Sequence, residues 1–311
     1  MDVLVFDRYF CDLVITGLPE LPRLGMDVFG EEMSLQAGGT FNAVRALHRL
    51  GLQVGWVCDF GDDLFSQFVL GEVRREGVDT SLFRYHDHPV RSFSLAFSDE
   101  NDRGFISYMD PVEPGERIPY LIAHKPRSLL LSVLEYDSNL EATVEAAHKI
   151  GAQVYMDCQA GSATLDTPGV IPALRAVDVF LPNASEALQL TGAESIEGAF
   201  EILTGYARLV VIKMGPDGAI GGERTSKVHV PGIDVQVRDT TGAGDCFNAG
   251  FIYGQLRGEP LENCLTIGNI CGGLSTTSLG TVATPNEAEV WMWLRRESTR
   301  SEHVVVKTES Q

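Results

Sequence analysis

Long apolar runs are missing from this chain. No stretch of its 311 residues approaches the ~18 consecutive apolar residues of a membrane helix, so no membrane partner is expected. Cations are scarce: 24 Lys and Arg stand against 43 Asp and Glu, a formal charge of −19. Nucleic acid is held by clustered Lys and Arg, so no nucleic-acid partner is expected. A small anionic ligand would have to be met locally, by backbone N–H groups, a helix terminus or a metal ion. No basic segment precedes the opening apolar run MDVLVFD, so no signal peptide is expected and the expected compartment is the cytoplasm. Cysteine is sparse, and Cys11, Cys58, Cys158, Cys246, Cys264 and Cys271 form no C-x-x-C pair or metal-ligand spacing, which reads as reduced thiols. Neither G-x-x-x-x-G-K-[ST] nor a G-x-G-x-x-G after the first strand is present, which excludes a Walker-type loop and a dinucleotide fingerprint.

What is present is alternation. Near-continuous Val, Ile and Leu runs at Val3–Phe6, Val54–Cys58, Ser128–Leu134, Val154–Asp157, Val179–Leu181 and Leu209–Lys213 suit parallel strands covered on both faces. Between them, Phe41, Val44, Leu47 and Leu50 fall on one helical face ended by Gly51. Leu140, Val144, Ala147 and Ile150 do the same before Gly151. The pattern predicts a three-layer α/β/α fold on a doubly wound sheet. Two stretches break it. Tyr9 to Leu35 contains two short strand-like pieces, and Val90–Ser98 with Arg103–Met109 alternates as a hairpin about a turn at Asp99 to Asp102. Excursions of this length in a compact domain carry a function, and the two are expected to leave the main sheet and pair into a small β lid. The polar segment from Arg295 to Gln311 is expected to be a flexible tail.

The chemistry concentrates in DTTGAGDCFNAGFI, residues 239–252. Gly242, Ala243 and Gly244 expose backbone N–H groups just before a helix, an anion-binding concavity. Asp245 then either caps that helix or takes a proton from a hydroxyl in front of a bound phosphate.

This block, the strand-like Val228–Val237 before it, AGGTFNA near residue 40, PNASE at Pro182–Glu186 and KMGPDGA at Lys213–Ala219 occur in the order in which the ribokinase, or PfkB, family of carbohydrate kinases carries such motifs. The chain resembles that family over essentially its whole length. The resemblance implies one ribokinase-like kinase domain over 1–311, with a lid built from about 9–37 and 88–110. It implies ATP as co-substrate, Mg²⁺, and transfer to a hydroxyl of a small sugar. Asp245 corresponds to the catalytic base, and Gly242, Ala243 and Gly244 to the anion hole. Asn183 and Glu186 match an element that organises Mg²⁺ and phosphates through water. Lys213, Gly215, Gly218 and, in a later helix, Asn269 fall on the nucleotide side. Asp239 and Thr241 match positions that hold a monovalent cation, K⁺, in some relatives. On the acceptor side, Asp12, Gly38, Gly39 and Asn42 match sugar-binding positions. Phe93 and Phe105 on the lid hairpin are candidates to stack on the acceptor, or to join a homodimer through the lid.

Departures from the family pattern bear on the acceptor. Only Thr40 and Phe41 separate Gly39 from Asn42, one residue fewer than in typical relatives. Thr40 stands where kinases of phosphosugars often carry Lys, which favours an unphosphorylated acceptor. The stretch Asp157-Cys158-Gln159-Ala160-Gly161 lacks the Arg expected of sugar-acid kinases, leaving Arg91 and Arg103 of the lid hairpin to supply a cation. A polyol or nucleoside acceptor, or a catalytically silent sugar- or nucleotide-binding regulator, are the alternatives.

Overall fold

In the first strand, β1 (Val3–Phe6), Val3 and Val5 enter one buried cluster while Leu4 and Phe6 enter another. A strand apolar on both faces must be covered on both. It lies inside an eight-stranded sheet that runs β14 (Ser226–Val230), β13 (Ala219–Glu223), β12 (Leu209–Lys213), β11 (Val179–Leu181), β10 (Gln153–Asp157), β9 (Ser128–Leu131), β1, β4 (Val54–Val57). Pairings from β4 to β12 are parallel; those of β12 with β13 and β13 with β14 are antiparallel. The six runs read as strands are the six parallel ones, the Ser128 run ending early at Leu131. This computed structural model describes residues 1–98, 103–113, 115–159 and 161–308, with backbone alone at 98, 103–105 and 298–308.

One face of the sheet is covered by α1 (Phe41–Arg49), α2 (Leu64–Glu76), α8 (Ala243–Arg257), α9 (Leu261–Ser275) and α10 (Glu287–Thr308). The other is covered by α3 (Arg117–His124), α4 (Ser138–Lys149), α5 (Val170–Ala176), α6 (Ala184–Thr191) and α7 (Ile196–Leu203). The result is the three-layer α/β/α arrangement expected from the alternation. Helix α10 continues to Thr308, into the segment read as a polar tail. No helix among the described residues is long and apolar enough to cross a membrane.

The two excursions form a separate sheet, β3 (Glu32–Gly39), β2 (Tyr9–Thr16), β7 (Ser92–Ser98), β8 (Arg103–Met109), while β5 (Asp59–Phe60) pairs with β6 (Arg84–Tyr85). The hairpin turn at Asp99 to Asp102 lies outside the described residues. Register separates the faces of this sheet: Asp12 aligns with Gln36 and Ser94, whereas Cys11 aligns with Ala37 and Phe93. The strand read over Val228–Val237 is shorter than expected. It ends at Val230, because Pro231 has no N–H for the ladder and 231–237 runs on as irregular chain.

Candidate active site

Asp245 lies in the first turn of α8, and Gly242, the cap residue just before that helix, adopts a left-handed φ of 75°. Only glycine takes that backbone cheaply. A Cβ there would also strike the Asn42 amide, with Nδ2 at 2.6 Å, and Thr281 Cγ2, at 2.5 Å. Gly242 at the cap has no side chain to bond this terminus. The Asp245 carboxylate accepts from Asn42 Nδ2 at 3.3 Å. Burial, aided by the nearby Asp157 carboxylate, pushes its pKa up to about 7, against the Asn42 hydrogen bond and the Lys213 charge. That is the range in which a carboxylate serves as a general base at neutral pH.

Asn42 is itself held. Thr281 Oγ1 donates to Asn42 Oδ1 at 2.9 Å, and Arg45 Nη1 donates to Thr281 Oγ1 at 2.8 Å. The relay Arg45–Thr281–Asn42–Asp245 fixes which end of the amide faces the carboxylate. Sequence reasoning placed Asn42 against the acceptor and missed Arg45 and Thr281, which are 236 residues apart.

Gly38 gives Asp12 its place: a Cβ on Gly38 would sit 1.9 Å from Asp12 Oδ2. Asp12 is 9% exposed, and burial, with Asp239 adding to it, pushes its pKa up to about 6. Gly39, at φ 62°, ends β3, and α1 begins at Phe41 after Thr40 alone. The shortened Gly-Gly-to-Asn spacing therefore joins strand to helix with one intervening residue. Phe93 is on the Cys11 face of the lid, not that of Asp12, and its ring packs against Phe65 at 5.2 Å. An acceptor held by Asp12 would therefore lie across the strand from Phe93. Phe105 pairs with Ala96 in the backbone; its side chain, and that of Arg103, lie outside the described residues. Arg91 is taken up by Asp110, donating to both carboxylate oxygens.

A cavity of about 620 Å³ adjoins Asp245. Asn183, Lys213, Gly215, Gly218 and Asn269 all line it, as do Glu186 and the Gly242, Ala243 and Gly244 turn. Asp12, Gly38, Gly39, Asn42, Asp239 and Thr241 do not; Asp245 lines this cavity and also accepts from Asn42, which stands outside it. Gly215–Asp217 forms a single 3₁₀ turn after β12, and Asn269 Nδ2 donates to the carbonyls of Val230 and Pro231, tying down the irregular segment that walls the cavity. Lys213 does not reach along that loop; it is buried and paired with Asp157.

Asn183 caps α6 in a reciprocal box with Glu186: Glu186 N donates to Asn183 Oδ1 and Asn183 N to Glu186 Oε2. Burial holds Glu186 above the usual carboxylate range, and the Asp157 charge adds to this. Asp157, Glu186 and Asp245 bring three carboxylates to one cavity, which suits a divalent cation that keeps its waters. No group of three or more His, Cys, Asp or Glu among the described residues forms an all-protein cage, so the fit is to a cation shared with ligand phosphates. Asp239 accepts from Thr241 N at 2.9 Å and Gly280 N at 2.8 Å, one bond to each oxygen. All six cysteines are buried as free thiols, and burial pushes Cys246 up to about 11, an inert thiol.

Comparison with known proteins agrees with this architecture. The chain is 28% identical over 275 residues to 2-dehydro-3-deoxygluconokinase of Bacillus subtilis (strain 168), covering 78% of this chain and 81% of that protein. The crystal structure of ribokinase from Thermotoga maritima superposes with a TM-score of 0.77 at 21% identity, over 94% of this chain and 99% of that one. Arabidopsis thaliana ribokinase complexed with ribose and ATP gives 0.78 at 22% identity, over 94% and 98%. These two likenesses establish the ribokinase-like fold. The sequence model of the pfkB family carbohydrate kinases matches residues 24–289. The chain belongs to the PfkB family of carbohydrate kinases.

Proposed function

We propose that the protein transfers the terminal phosphoryl group of ATP to a hydroxyl of a small, uncharged free sugar. The observation that carries this reading is the position of Asp245, a carboxylate with pKa near 7 on the first turn of α8 that lines the cavity and accepts from Asn42. The cavity, with Ile233, Val235 and Phe247 in its wall, suits a nucleotide whose base lies against apolar side chains. Its phosphates meet the N–H groups of Gly242, Ala243 and Gly244 at the helix terminus. Mg²⁺, when bound, offsets charge on the phosphate oxygens, with Glu186 and Asn183 holding its waters. Asp12 and Asn42 orient the acceptor, Asp245 removes the proton of its hydroxyl, and the lid excludes water. Asp239 and Thr241 are the residues for a monovalent cation, tested by activity in K⁺ against Na⁺.

The engagement of Arg91 by Asp110 supports an uncharged acceptor over a sugar acid. The outer lid face, with Met33, Leu35, Ile106 and Tyr108 exposed, supports a homodimer formed through it. The test is ADP release across free sugars, sugar acids, polyols and nucleosides. We expect turnover with a neutral sugar, and a fall of about 10²–10⁴-fold or more in Asp245→Asn with nucleotide binding retained. Wild-type turnover in that variant would refute the assignment of the base.

A further inference from the structure

Beside the Gly242–Gly244 turn lies a buried trio with no task in the scheme above. Lys213 ends β12, Asp157 ends β10, and Asn248 stands one turn beyond Asp245 on α8. Lys213 Nζ donates to Asp157 Oδ1 at 2.7 Å and to Asn248 Oδ1 at 3.2 Å, and Asn248 Nδ2 donates to Asp157 Oδ2 at 2.6 Å. The side chains of Lys213 and Asp157 are 10% and 9% exposed. An ammonium carries three N–H donors, and the protein takes two of them. Lys213 lines the cavity, and a Cβ on Gly244 would stand only 3.5 Å from its Nζ. The third donor therefore opens toward the anion-binding backbone. A buried ion pair adds little net stability over apolar side chains of the same volume, so packing alone does not account for a trio that leaves one charged donor unused.

We propose that Lys213 is a further catalytic residue, whose third N–H donates to an oxygen of the terminal phosphoryl group seated at Gly242–Gly244, with Asp157 and Asn248 as positioning residues. The inference rests on the kinase reading of the site. In the transfer, the bond from the terminal phosphorus to its bridging oxygen breaks, its electron pair leaving with ADP. The acceptor oxygen forms the new P–O bond and its proton passes to Asp245. Lys213 contributes a charged hydrogen bond and keeps its proton throughout. Asp157 pairs with the ammonium in a buried position, and Asn248 ties it to α8. Lys213 on this account reads the terminal phosphate and not the nucleotide as a whole.

Calorimetric titration with ATP and with ADP, each with Mg²⁺, tests this without knowing the acceptor. In Lys213→Met, ADP affinity should stay within about twofold while ATP affinity falls about tenfold or more, the loss of a hydrogen bond to a charged group. Lys213→Met leaves Asp157 uncompensated and is at risk of misfolding, so the double variant Lys213→Met/Asp157→Asn, which removes both charges, must show the same ATP-selective loss. Asn248→Ala should lose selectivity in the same direction. Equal weakening of both nucleotides, or no change in either, would make the trio structural and overturn the proposal while the kinase reading stands. A wild-type protein that binds neither nucleotide would overturn both.

Discussion

Asp245 draws its basicity from neighbours that are distant in sequence. With its pKa near 7, kcat/KM should fall about tenfold per pH unit below about pH 6, because the base must be ionised. A profile flat from pH 5 to 8 would contradict this. Asn42 lowers that pKa by donating to the charged form, so Asn42→Ala should move the midpoint upward as well as weaken the acceptor. The same shift bears on stability. A raised folded-state pKa gives a contribution fully present below the unfolded value near 3.8 and lost as pH rises through about 7. Asp245→Asn, neutral throughout, should therefore be more stable than wild type at pH 8, by on the order of a few kcal/mol. The gain should vanish near pH 4, as read by thermal denaturation.

The start of α8 and the strands of the lid each separate catalytic from structural roles. Gly242 is left-handed and in contact with Asn42, so Gly242→Ala should cost about 1–3 kcal/mol in strain and turnover with it, by displacing the amide. A Cβ on Gly244 meets only Lys213, at ordinary contact distances of 3.5 and 4.0 Å. Gly244→Ala should keep its melting temperature while losing turnover; a variant as active as wild type would show that the phosphate does not approach this backbone. In the lid, Asp12 and Phe93 are on opposite faces. Asp12→Asn should raise KM for the acceptor about tenfold or more with KM for ATP unchanged, the effect of weakening a charged hydrogen bond. Phe93→Ala should lower stability through the lost Phe65 contact and leave the acceptor KM nearly unmoved.

For the assembled molecule, the outer lid face predicts association. Met33 and Ile106 are 71% and 61% exposed there, on strands whose other face carries Asp12. Sedimentation should find a dimer for the wild type and a monomer for Met33→Glu/Ile106→Glu, because paired charges cannot be buried across such a face without partners. A monomeric wild type would remove the dimer from the proposal. The formal charge of −19 offers an anionic co-substrate little overall attraction, which is why the proposed scheme meets it with backbone dipoles and the buried Lys213 ammonium.

Local chemistry determined most of the fold. Apolar runs such as Val3–Phe6 and Leu209–Lys213 are strands because each residue has a neighbour to bury on either face, and that demand is written in consecutive positions. The glycine turn and Asp245 were legible for the same reason: turn, helix start and acid lie within four residues. The end of β14 was misread because its apolar alternation continues past Pro231 while no partner strand does. Tertiary structure alone decided which carboxylate is pushed up toward neutral pH and which is engaged by a buried ammonium. Asp157, Lys213 and Asn248 meet across 35 to 91 residues, and Asn42, Thr281 and Asp245 across 203 to 239. Burial and charge proximity, the causes of a shifted pKa, do not exist until those segments are packed together.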